Sequence, residues 1–450
     1  MYQRHQQIHF VGIGGIGMSG IAELLINLGH RVSGSDLRES DTTRRLVSLG
    51  ARVAFGHAAQ NLGQADVVVI SSAVKDDNPE VVAARERLIP VIPRAEMLAE
   101  LMRLKYGVAV AGAHGKTTTT SMVAALLAAG RLDPTVVVGG KVGALGSNAR
   151  LGQGDFLVAE ADESDGSFLR LTPVVVVVTN VDREHMDHYV TDQAVDDAFV
   201  EFMNKVPFYG AAIICLDDAR LASLIPRLRK RAITYGLTSQ ADFQARDVVA
   251  AGFGQSYSFY LRGELKGAVR LPFPGRHYVL NSLGALAAAV EVGVDLATAM
   301  SACAKLTGVK RRFERKGRSV QGALIMDDYA HHPTEIMATL EAARGAWPEK
   351  RLVVCFQPHR YTRTRDLFDN FARCFYGADV LLVLDIYAAS ETPDPAVSAE
   401  RLAEAIRAHG HRRVEYVGAP AAAKARLAEL LTAGDVLFTM GAGDVWKLGE

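Results

Sequence analysis

The sequence lacks three features that mark particular classes of protein: an excess of charge, a long apolar run and paired cysteines. Its 50 Lys and Arg residues balance its 50 Asp and Glu residues, so we expect no nucleic acid and no anionic membrane as partner. No apolar run approaches the length of a membrane-spanning helix, and we expect no signal peptide. The four cysteines (Cys215, Cys303, Cys355 and Cys374) have no Cys-x-x-Cys spacing, so we expect reduced core residues in a cytoplasmic protein.

The composition is that of an ordinary globular protein, with 49% hydrophobic and 22% charged residues over 450 positions. Strand and helix patterns alternate, which predicts an α/β fold with parallel, doubly wound sheets. We predict three domains: a Rossmann-like domain over residues 1–104, a central domain over 105–312 and a Rossmann-like α/β domain over 313–450. The central sheet is expected to be mostly parallel, with a small antiparallel part within residues 231–275.

Each predicted domain has its own set of strands. They are residues 8–11, 31–34, 67–70 and 89–92 in the first domain, 108–111, 156–159, 174–179 and 211–215 in the second, and 323–326, 352–355, 380–384 and 436–440 in the third.

Residues 108–118 combine a strand of small apolar residues, a Gly-containing turn and a Lys-Thr pair that opens a helix. This arrangement binds nucleotide phosphates, because backbone N–H groups face the anion, the Lys adds a positive charge and the Thr hydroxyl reaches Mg²⁺. Val110 stands where the longer phosphate-loop pattern has glycine, so we interpret the segment as a shortened Gly-x-x-Gly-Lys-Thr variant. The alternative is a surface turn without a ligand.

A second Gly-rich turn follows the strand at residues 8–11 and opens a helix, which is the placement of a diphosphate-binding turn. The next strand leads to Ser35 and Asp36, where dinucleotide-binding folds keep an acid for the ribose. By itself this pattern also fits a dehydrogenase, or a tight turn that binds nothing.

Two further strands end in acidic segments. Glu160 and Glu163 follow one strand, and residues 182–187, which include His185, follow the other. Parallel strands would deliver both segments to the edge that carries the phosphate loop, where carboxylates suit Mg²⁺. We favour Glu160 over Glu163 as the ligand because it directly follows the buried run. For His185, a capping or core role is the alternative.

A third pair of polar segments, residues 327–333 and 357–365, also follows strands. Several arginines lie there beside a cluster of histidines, and arginine at a strand end suits bidentate recognition of a carboxylate or phosphate. A solvated basic face is the alternative. The coincidence of arginines and histidines favours a binding site.

Taken together, residues 12–20, 111–120, 160–168, 180–187, 327–335 and 357–368 resemble the Mur ligases of bacterial peptidoglycan synthesis, over essentially the whole chain. Within that family they look most like the branch that adds L-alanine to UDP-N-acetylmuramate. The resemblance implies a UDP-sugar-binding domain, an ATP-binding domain and an amino-acid-binding domain. It implies that ATP phosphorylates the lactyl carboxylate, that the amine of L-alanine attacks the acyl phosphate, and that Mg²⁺ is required.

The resemblance also implies roles for individual residues. The expected ATP contacts are Gly112, His114, Gly115, Lys116, Thr117, Thr118, Asn281, Arg312 and Asp328. The expected metal ligands are Thr117, Glu160 and His185. The expected UDP-sugar contacts are Gly12, Gly14, Gly15, Gly17, Ser35, Asp36, Ser71 and Ser72. The expected catalytic residues are Lys116, His185, His331, His359, Arg360 and Arg363, the last four in the region that receives the amino acid and the lactyl carboxylate.

Two positions depart from the family pattern. Tyr278 stands where the family commonly has Asn, so we expect adenine recognition to depend more on Asn281 and His277. Val200 stands where several sister ligases carry a carbamylated lysine, so no such lysine is assigned.

Three alternatives remain at this point: a sister ligase that adds a tripeptide to the same UDP-sugar, a dinucleotide-dependent oxidoreductase and a nucleotide-sensing module. The oxidoreductase would leave the phosphate loop and the acidic segments without a role. We expect a monomer or a weak dimer.

Overall fold

A computed structural model describes residues 5–71, 73–139, 148–389 and 391–450, with the side chains of Ile16 and Asp187 left out. Ser72, an expected UDP-sugar contact, therefore lies outside the described residues. The chain forms two compact units, one of residues 1–247, 257–269 and 280–307 and the other of residues 248–256, 270–279 and 308–450. Within the described ranges, no helix combines the length and apolar character needed to cross a bilayer.

The first sheet contains five parallel strands in the order β3-β2-β1-β4-β5. The strands are β1 (Gln7–Val11), β2 (Arg31–Asp36), β3 (Arg52–Phe55), β4 (Val67–Ile70) and β5 (Val91–Pro93). The helices are α1 (Ile16–Asn27), α2 (Asp41–Ser48), α3 (Pro79–Glu86) and α4 (Arg94–Met102). Helix α2 begins where the Ser40 side chain accepts a hydrogen bond from the Thr43 N–H, which satisfies one of the free donors of the first turn. β1 lies at the centre of the sheet, so the turn that follows it is placed at the carboxyl edge.

The second sheet has ten strands in the order β15-β14-β13-β12-β11-β10-β6-β9-β7-β8. The strands are β6 (Tyr106–Ala111), β7 (Thr135–Val137), β8 (Ala149–Arg150), β9 (Phe156–Glu160), β10 (Val175–Val178), β11 (Ala211–Cys215), β12 (Ala232–Gly236), β13 (Phe243–Ala251), β14 (Gly254–Leu261) and β15 (Glu264–Leu271). The helices are α5 (Lys116–Ala129), α6 (Met186–Tyr189), α7 (Asp192–Asn204), α8 (Ala219–Leu224), α9 (Arg276–Glu291) and α10 (Leu296–Cys303). β6 pairs in parallel with both β9 and β10, so the segments after these three strands meet at one edge. β10 is four consecutive buried valines, the continuous apolar run of a strand covered on both faces.

The third sheet has six strands in the order β16-β17-β21-β18-β19-β20. The strands are β16 (Glu314–Arg318), β17 (Leu324–Asp328), β18 (Arg351–Phe356), β19 (Val380–Leu384), β20 (Val414–Gly418) and β21 (Asp435–Met440). The helices are α11 (Pro333–Ala346), α12 (Tyr361–Asp366), α13 (Phe368–Phe371), α14 (Ala399–Ala408) and α15 (Pro420–Leu430). β16 is antiparallel to β17, and the other neighbouring strands of this sheet are parallel. β17 and β18 both pair with β21, which places their carboxyl ends near each other.

The fold class expected from the sequence is confirmed: three α/β sheets, mostly parallel, with a small antiparallel part. One detail of the central sheet is wrong. Residues 231–275 were expected to be antiparallel ribbons, but β12 pairs in parallel with β11 and with β13. In this region, β13 is joined to β14 and β14 to β15 by two-residue connections, which antiparallel neighbours allow. The strand predicted at residues 89–92 is shifted towards the C-terminus, since β5 spans Val91–Pro93.

Candidate active site

The phosphate loop follows β6 and leads into α5, as the sequence predicted. Gly112 and Gly115 have φ angles of +130° and +82°, values that glycine adopts without strain. A Cβ atom on Gly112 would lie 2.1 Å from the Thr179 Oγ1 atom, so a side chain there would displace the end of β10. The loop therefore needs glycine at both positions, for backbone conformation and for close approach.

The loop is fastened to the segment after β10. The Asn180 side chain accepts a hydrogen bond from the His114 N–H at 2.8 Å and donates one to the His114 carbonyl at 3.0 Å. The Thr179 hydroxyl donates to the same carbonyl at 2.6 Å. The imidazole of His114 lies 2.9 Å from the Asp182 carboxylate. These bonds hold the backbone of the loop in place before any ligand binds.

Lys116, the first residue of α5, is enclosed by acceptors. Its Nζ donates to the Gly112 carbonyl at 2.7 Å, the Ala113 carbonyl at 3.2 Å and the Glu163 carboxylate at 2.7 Å. Burial alone would lower the pKa of Lys116, but the negative charges of Glu163 and Asp162 raise it above the ordinary value. The side chain is thus a cation at any physiological pH, which is what phosphate binding requires.

Thr117 and Glu160, two expected metal ligands, lie together. The Thr117 hydroxyl donates to Glu160 Oε1 at 3.1 Å, and the Gly139 N–H donates to Glu160 Oε2 at 2.7 Å. A hydroxyl and a carboxylate at the start of the phosphate-loop helix are hard oxygen ligands of the type Mg²⁺ prefers. This pair fits a magnesium ion that also contacts nucleotide phosphates.

His185, the third expected ligand, lies with two other carboxylates. Ligand atoms of Glu163, Glu184 and His185 are all within 4.8 Å of one another. Glu163 Oε2 is buried and has no hydrogen-bond partner in the described part of the chain. Burial raises the pKa of this carboxyl group despite the nearby cation of Lys116. An unpaired buried oxygen beside a histidine and a second carboxylate fits a cation-binding group, so Glu163 and Glu184 join His185 as candidate ligands.

Asn281, the expected adenine contact, is buried on α9 and lies against the phosphate loop. A Cβ atom on Gly115 would lie 2.9 Å from Asn281 Oδ1. The structure therefore brings Asn281 together with the loop that precedes α5, which supports a contact to the nucleotide.

The Gly-rich turn after β1 is held by the end of β2. The N–H groups of Gly12 and Ile13 donate to the Ser35 carbonyl at 2.8 and 3.0 Å, and the Gly14 N–H donates to Asp36 Oδ2 at 2.8 Å. Helix α1 begins after Gly15, and no side chain in the described ranges caps it, so the N–H groups of its first turn are free to bind an anion.

The geometry does not support the expected UDP-sugar contact through the Ser35 side chain. This side chain is fully buried, and its hydroxyl donates to Glu80 at 2.6 Å and lies 2.9 Å from His57 Nδ1. Glu80 also accepts from Asn61 at 2.6 Å and from the Ala58 N–H at 3.2 Å. Ser35 is thus part of an internal polar network, whereas Asp36 and Ser71 remain partly accessible.

In the second unit, Asp328 shapes the turn that carries Arg312. Its carboxylate accepts from the Phe313 N–H at 2.7 Å and from the Ala330 N–H at 2.8 Å. Burial raises the pKa of Asp328 to about 6, although the Arg312 charge acts in the opposite direction. Tyr278 is buried and donates to the Arg312 carbonyl at 3.2 Å, so the position that departs from the family pattern supports this turn.

His331 and His359 lie close together, with ring centroids 5.9 Å apart. The His331 Nδ1 atom lies 3.0 Å from Glu335 Oε2, and the His359 ring stacks on Tyr387 at 5.6 Å. Burial, with the charges of His331 and Arg363, lowers the pKa of His359 to about 3. His359 is therefore neutral at physiological pH and too weak a base to take a proton from an ammonium group.

Arg360 and Arg363 follow β18 in the same region. Arg360 has a φ of +70°, unusual for a residue with a side chain, and its N–H donates to the Tyr387 carbonyl at 2.8 Å. In the described ranges no carboxylate lies within ion-pair distance of Arg363, whereas Arg365 pairs with Asp366 and Asp394. Arg363 is thus the arginine of this helix that is available for a carboxylate ligand.

Sequence reasoning missed Glu184 and ranked Glu163 second. Glu184 lies inside a segment that the sequence did single out. Only its distance to His185 and Glu163 shows that it belongs to the cluster.

Three family models match successive segments of the chain. The model described as "Mur ligase family, catalytic domain" matches residues 7–106, "Mur ligase middle domain" matches residues 110–289, and "Mur ligase, glutamate ligase domain" matches residues 311–443. Together they cover all three sheets.

Proteins similar over their whole length support the same assignment. The chain is 56% identical to a UDP-N-acetylmuramate–L-alanine ligase of Geobacter sulfurreducens, covering all of this chain and 97% of that protein. It is 57% identical to one of Trichlorobacter lovleyi, covering all of this chain and 99% of that protein. Among solved structures, a UDP-N-acetylmuramate-alanine ligase of Thermotoga maritima superposes with a TM-score of 0.84 at 30% identity, covering 99% of this chain and 97% of that one. A murein peptide ligase of Psychrobacter arcticus superposes with a TM-score of 0.72 at 25% identity, covering 98% and 97%. This chain belongs to the Mur ligase family.

Proposed function

We propose that this protein is an ATP-dependent ligase that joins L-alanine to the lactyl carboxylate of UDP-N-acetylmuramate, a step in the synthesis of peptidoglycan precursors. The observation that carries the proposal is the partly buried Lys116 at the start of α5, beside Thr117 and Glu160. This arrangement is suited to phosphoryl transfer, and relatives identical at 56–57% over the whole chain bear the name of that activity.

The proposed reaction has two steps. A lactyl carboxylate oxygen attacks the γ-phosphorus of ATP, and the bond to ADP breaks, so an acyl phosphate forms. The neutral amine of L-alanine then attacks the acyl carbon, phosphate leaves with the bonding electron pair, and the amine loses a proton. The first step brings two anions together and the second releases an anionic phosphate, so neutralising charge matters more than covalent help from the protein.

Residues of the first unit would supply most of that neutralisation. We assign Lys116 to the β- and γ-phosphates and the N–H groups of residues 115–118 to the same anion. Thr117 and Glu160 would hold one Mg²⁺, and His185 with Glu163 and Glu184 would hold a second. When bound, Mg²⁺ would offset the negative charge that develops on the transferring phosphoryl group.

Residues of the second unit would receive the amino acid. Arg363 and Arg360 are available for a carboxylate, and His331 is held by Glu335 beside them. His359, neutral at physiological pH, would position the substrate by hydrogen bonding and not by proton transfer.

The domain assignment follows from the same proposal. Residues 1–104 would bind the UDP-sugar, 105–312 would bind ATP, and 313–450 would bind the amino acid and part of the ATP. The four cysteines, which are free and buried, suit our further proposal that the protein acts in the cytoplasm.

An ADP-release assay with UDP-N-acetylmuramate, Mg²⁺ and each amino acid in turn tests the proposal. We expect ADP only when both the UDP-sugar and an amino acid are present, with L-alanine preferred. Omission of either substrate is the control. NADH oxidation without ADP release would overturn the proposal, and turnover with a tripeptide but not with L-alanine would favour the sister activity.

A further inference from the structure

Arg94, the first residue of α4, joins the first sheet to the second within one unit. Its Nη2 atom donates to Asp162 Oδ2 at 3.2 Å, in the segment after β9. Within the described part of the chain, Asp162 is the only hydrogen-bond acceptor that Arg94 contacts. A guanidinium group carries five N–H donors, so most of its binding capacity is unused.

The guanidinium lies over the first turn of α1. A Cβ atom on Gly17 would lie 2.0 Å from Arg94 Nη1, so the absence of a side chain at position 17 makes room for the cation. Helix α1 spans 12 residues and has no side-chain cap among the residues that the structure describes, so its N-terminus carries free N–H donors and a partial positive charge. A guanidinium beside these donors adds to the attraction for an anion at this place.

A small cavity extends from this turn to the candidate magnesium ligands. It has a volume of about 50 Å³, and its polar lining includes Gly17, Arg94, Gly139, Glu160 and Asp162. This volume admits a carboxylate-sized group or a few waters. The cavity is thus lined by the Arg94 cation together with Gly17 of the candidate diphosphate turn and Glu160 of the candidate metal site.

We propose that Arg94 is a substrate-binding residue that holds an anionic group of the UDP-sugar, over Gly17 and beside Glu160. This inference rests on the proposed function, since UDP-N-acetylmuramate carries two such groups, a diphosphate and a lactyl carboxylate. Arginine suits either, because its planar donors bind phosphate or carboxylate oxygens in pairs. Asp162 keeps the guanidinium in place until the ligand arrives.

Calorimetric titration of Arg94→Gln, Arg94→Lys and the wild type tests the inference. The ligands are UDP-N-acetylmuramate, UDP-N-acetylglucosamine, which lacks the lactyl carboxylate, and a non-hydrolysable ATP analogue. We expect Arg94→Gln to weaken UDP-N-acetylmuramate binding at least about tenfold, with Arg94→Lys intermediate and the ATP analogue unaffected. Weaker binding of both UDP-sugars identifies the diphosphate as the contact, and weaker binding of UDP-N-acetylmuramate alone identifies the carboxylate.

Two further variants separate binding from a purely structural role. Arg103→Gln is the matched control, since Arg103 is the C-cap of α4 and, among the described residues, forms an ion pair only with Glu100. Asp162→Asn removes the negative charge but leaves the guanidinium, so it should weaken UDP-sugar binding by a smaller factor than Arg94→Gln does. If Arg94→Gln binds the UDP-sugar as the wild type does, or if Asp162→Asn weakens it equally, the inference is overturned. A wild type that binds no UDP-sugar would instead overturn the proposed function.

Discussion

Lys116, which is partly buried, forms an ion pair with the buried Glu163, with Nζ and Oε1 2.7 Å apart. The same Nζ atom also donates to two carbonyls of its own loop. The cation that would bind phosphates is therefore held by a carboxylate in this structure, and a nucleotide must compete with Glu163 for it. The two glutamates therefore have different partners: Glu163 pairs with Lys116, whereas Glu160 accepts a hydrogen bond from the Thr117 hydroxyl.

Lys116→Ala should lower the rate of ADP release by about 10²–10³-fold, because a preorganised cation on the transferring phosphoryl group is lost. Steady-state ADP release with both substrates measures the effect. Lys424→Ala, at an exposed position of α15, is the control for removing a lysine. Near-normal turnover of Lys116→Ala would show that the loop has only a structural role.

Glu160→Gln should raise the Mg²⁺ concentration for half-maximal activity by about tenfold or more, and by a larger factor than Glu163→Gln does. The reason is that Glu160 lies beside the Thr117 hydroxyl, whereas one of the two carboxylate oxygens of Glu163 is already paired with Lys116. Mg²⁺ titrations of activity measure both variants. Asp165→Asn, at an exposed neighbouring position, serves as control. A stronger Mg²⁺ requirement in Glu163→Gln would reverse the assignment.

Glu80→Gln should destabilise the protein by about 1–3 kcal/mol at pH 7, because it disturbs a fully buried hydrogen-bonded network. Burial alone would raise the pKa of Glu80, but hydrogen bonds from His9, Ser35 and Asn61 lower it to about 2. The pKa of Glu80 is therefore lower in the folded protein than in the unfolded chain, where it is near 4.5. The ionised carboxylate stabilises the fold fully above pH 4.5, and this stabilisation is lost as the pH falls through about 2.

The gap in unfolding free energy between the wild type and Glu80→Gln should therefore narrow as the pH falls from about 4.5 towards 2. Urea unfolding at several pH values measures it. Glu86→Gln, exposed at the end of the same helix, is the matched control and should change stability little. A gap that stays constant over this pH range would contradict the assigned cause.

Arg363→Ala should raise the KM for the substrate whose carboxylate it holds by about tenfold, and the KM for ATP by less. Initial rates with one substrate varied at a time distinguish the three KM values. Arg365→Ala is the matched control on the same helix, since Arg365 already pairs with Asp366 and Asp394. Equal increases for all three substrates would point to a structural role for Arg363.

L-alanine should be the preferred amino acid, with glycine and L-serine as weaker substrates. They differ from L-alanine by one methyl or one hydroxyl group, and a small apolar pocket separates such pairs by only about 1–3 kcal/mol. Competition between amino acids in the ADP-release assay, followed by product analysis, measures the preference. Efficient use of L-alanyl-D-glutamyl-diaminopimelate while L-alanine is inert would disprove it.

Much of the fold could be predicted from local pattern. The strands Val67–Ile70, Ala211–Cys215 and Val380–Leu384 have the predicted bounds, because each is an uninterrupted apolar run. Strands without such a run were missed. Ala149–Arg150 has two residues, and Glu314–Arg318 is a polar strand at a sheet edge, so neither carries a hydrophobic period.

The sequence by itself determined the order of strands and helices, the glycines of the two turns and the polar segments that follow the strands. These depend on short-range properties: backbone freedom, apolar periodicity and the types of residue at a strand end. Only the tertiary structure decided that Ser35 faces Glu80, that Lys116 pairs with Glu163 while Thr117 contacts Glu160, and that Arg94 reaches Asp162. Such pairings join residues from separate strands and depend on which strands lie side by side. Sheet order and register are set by the packing of the whole domain, not by any local pattern.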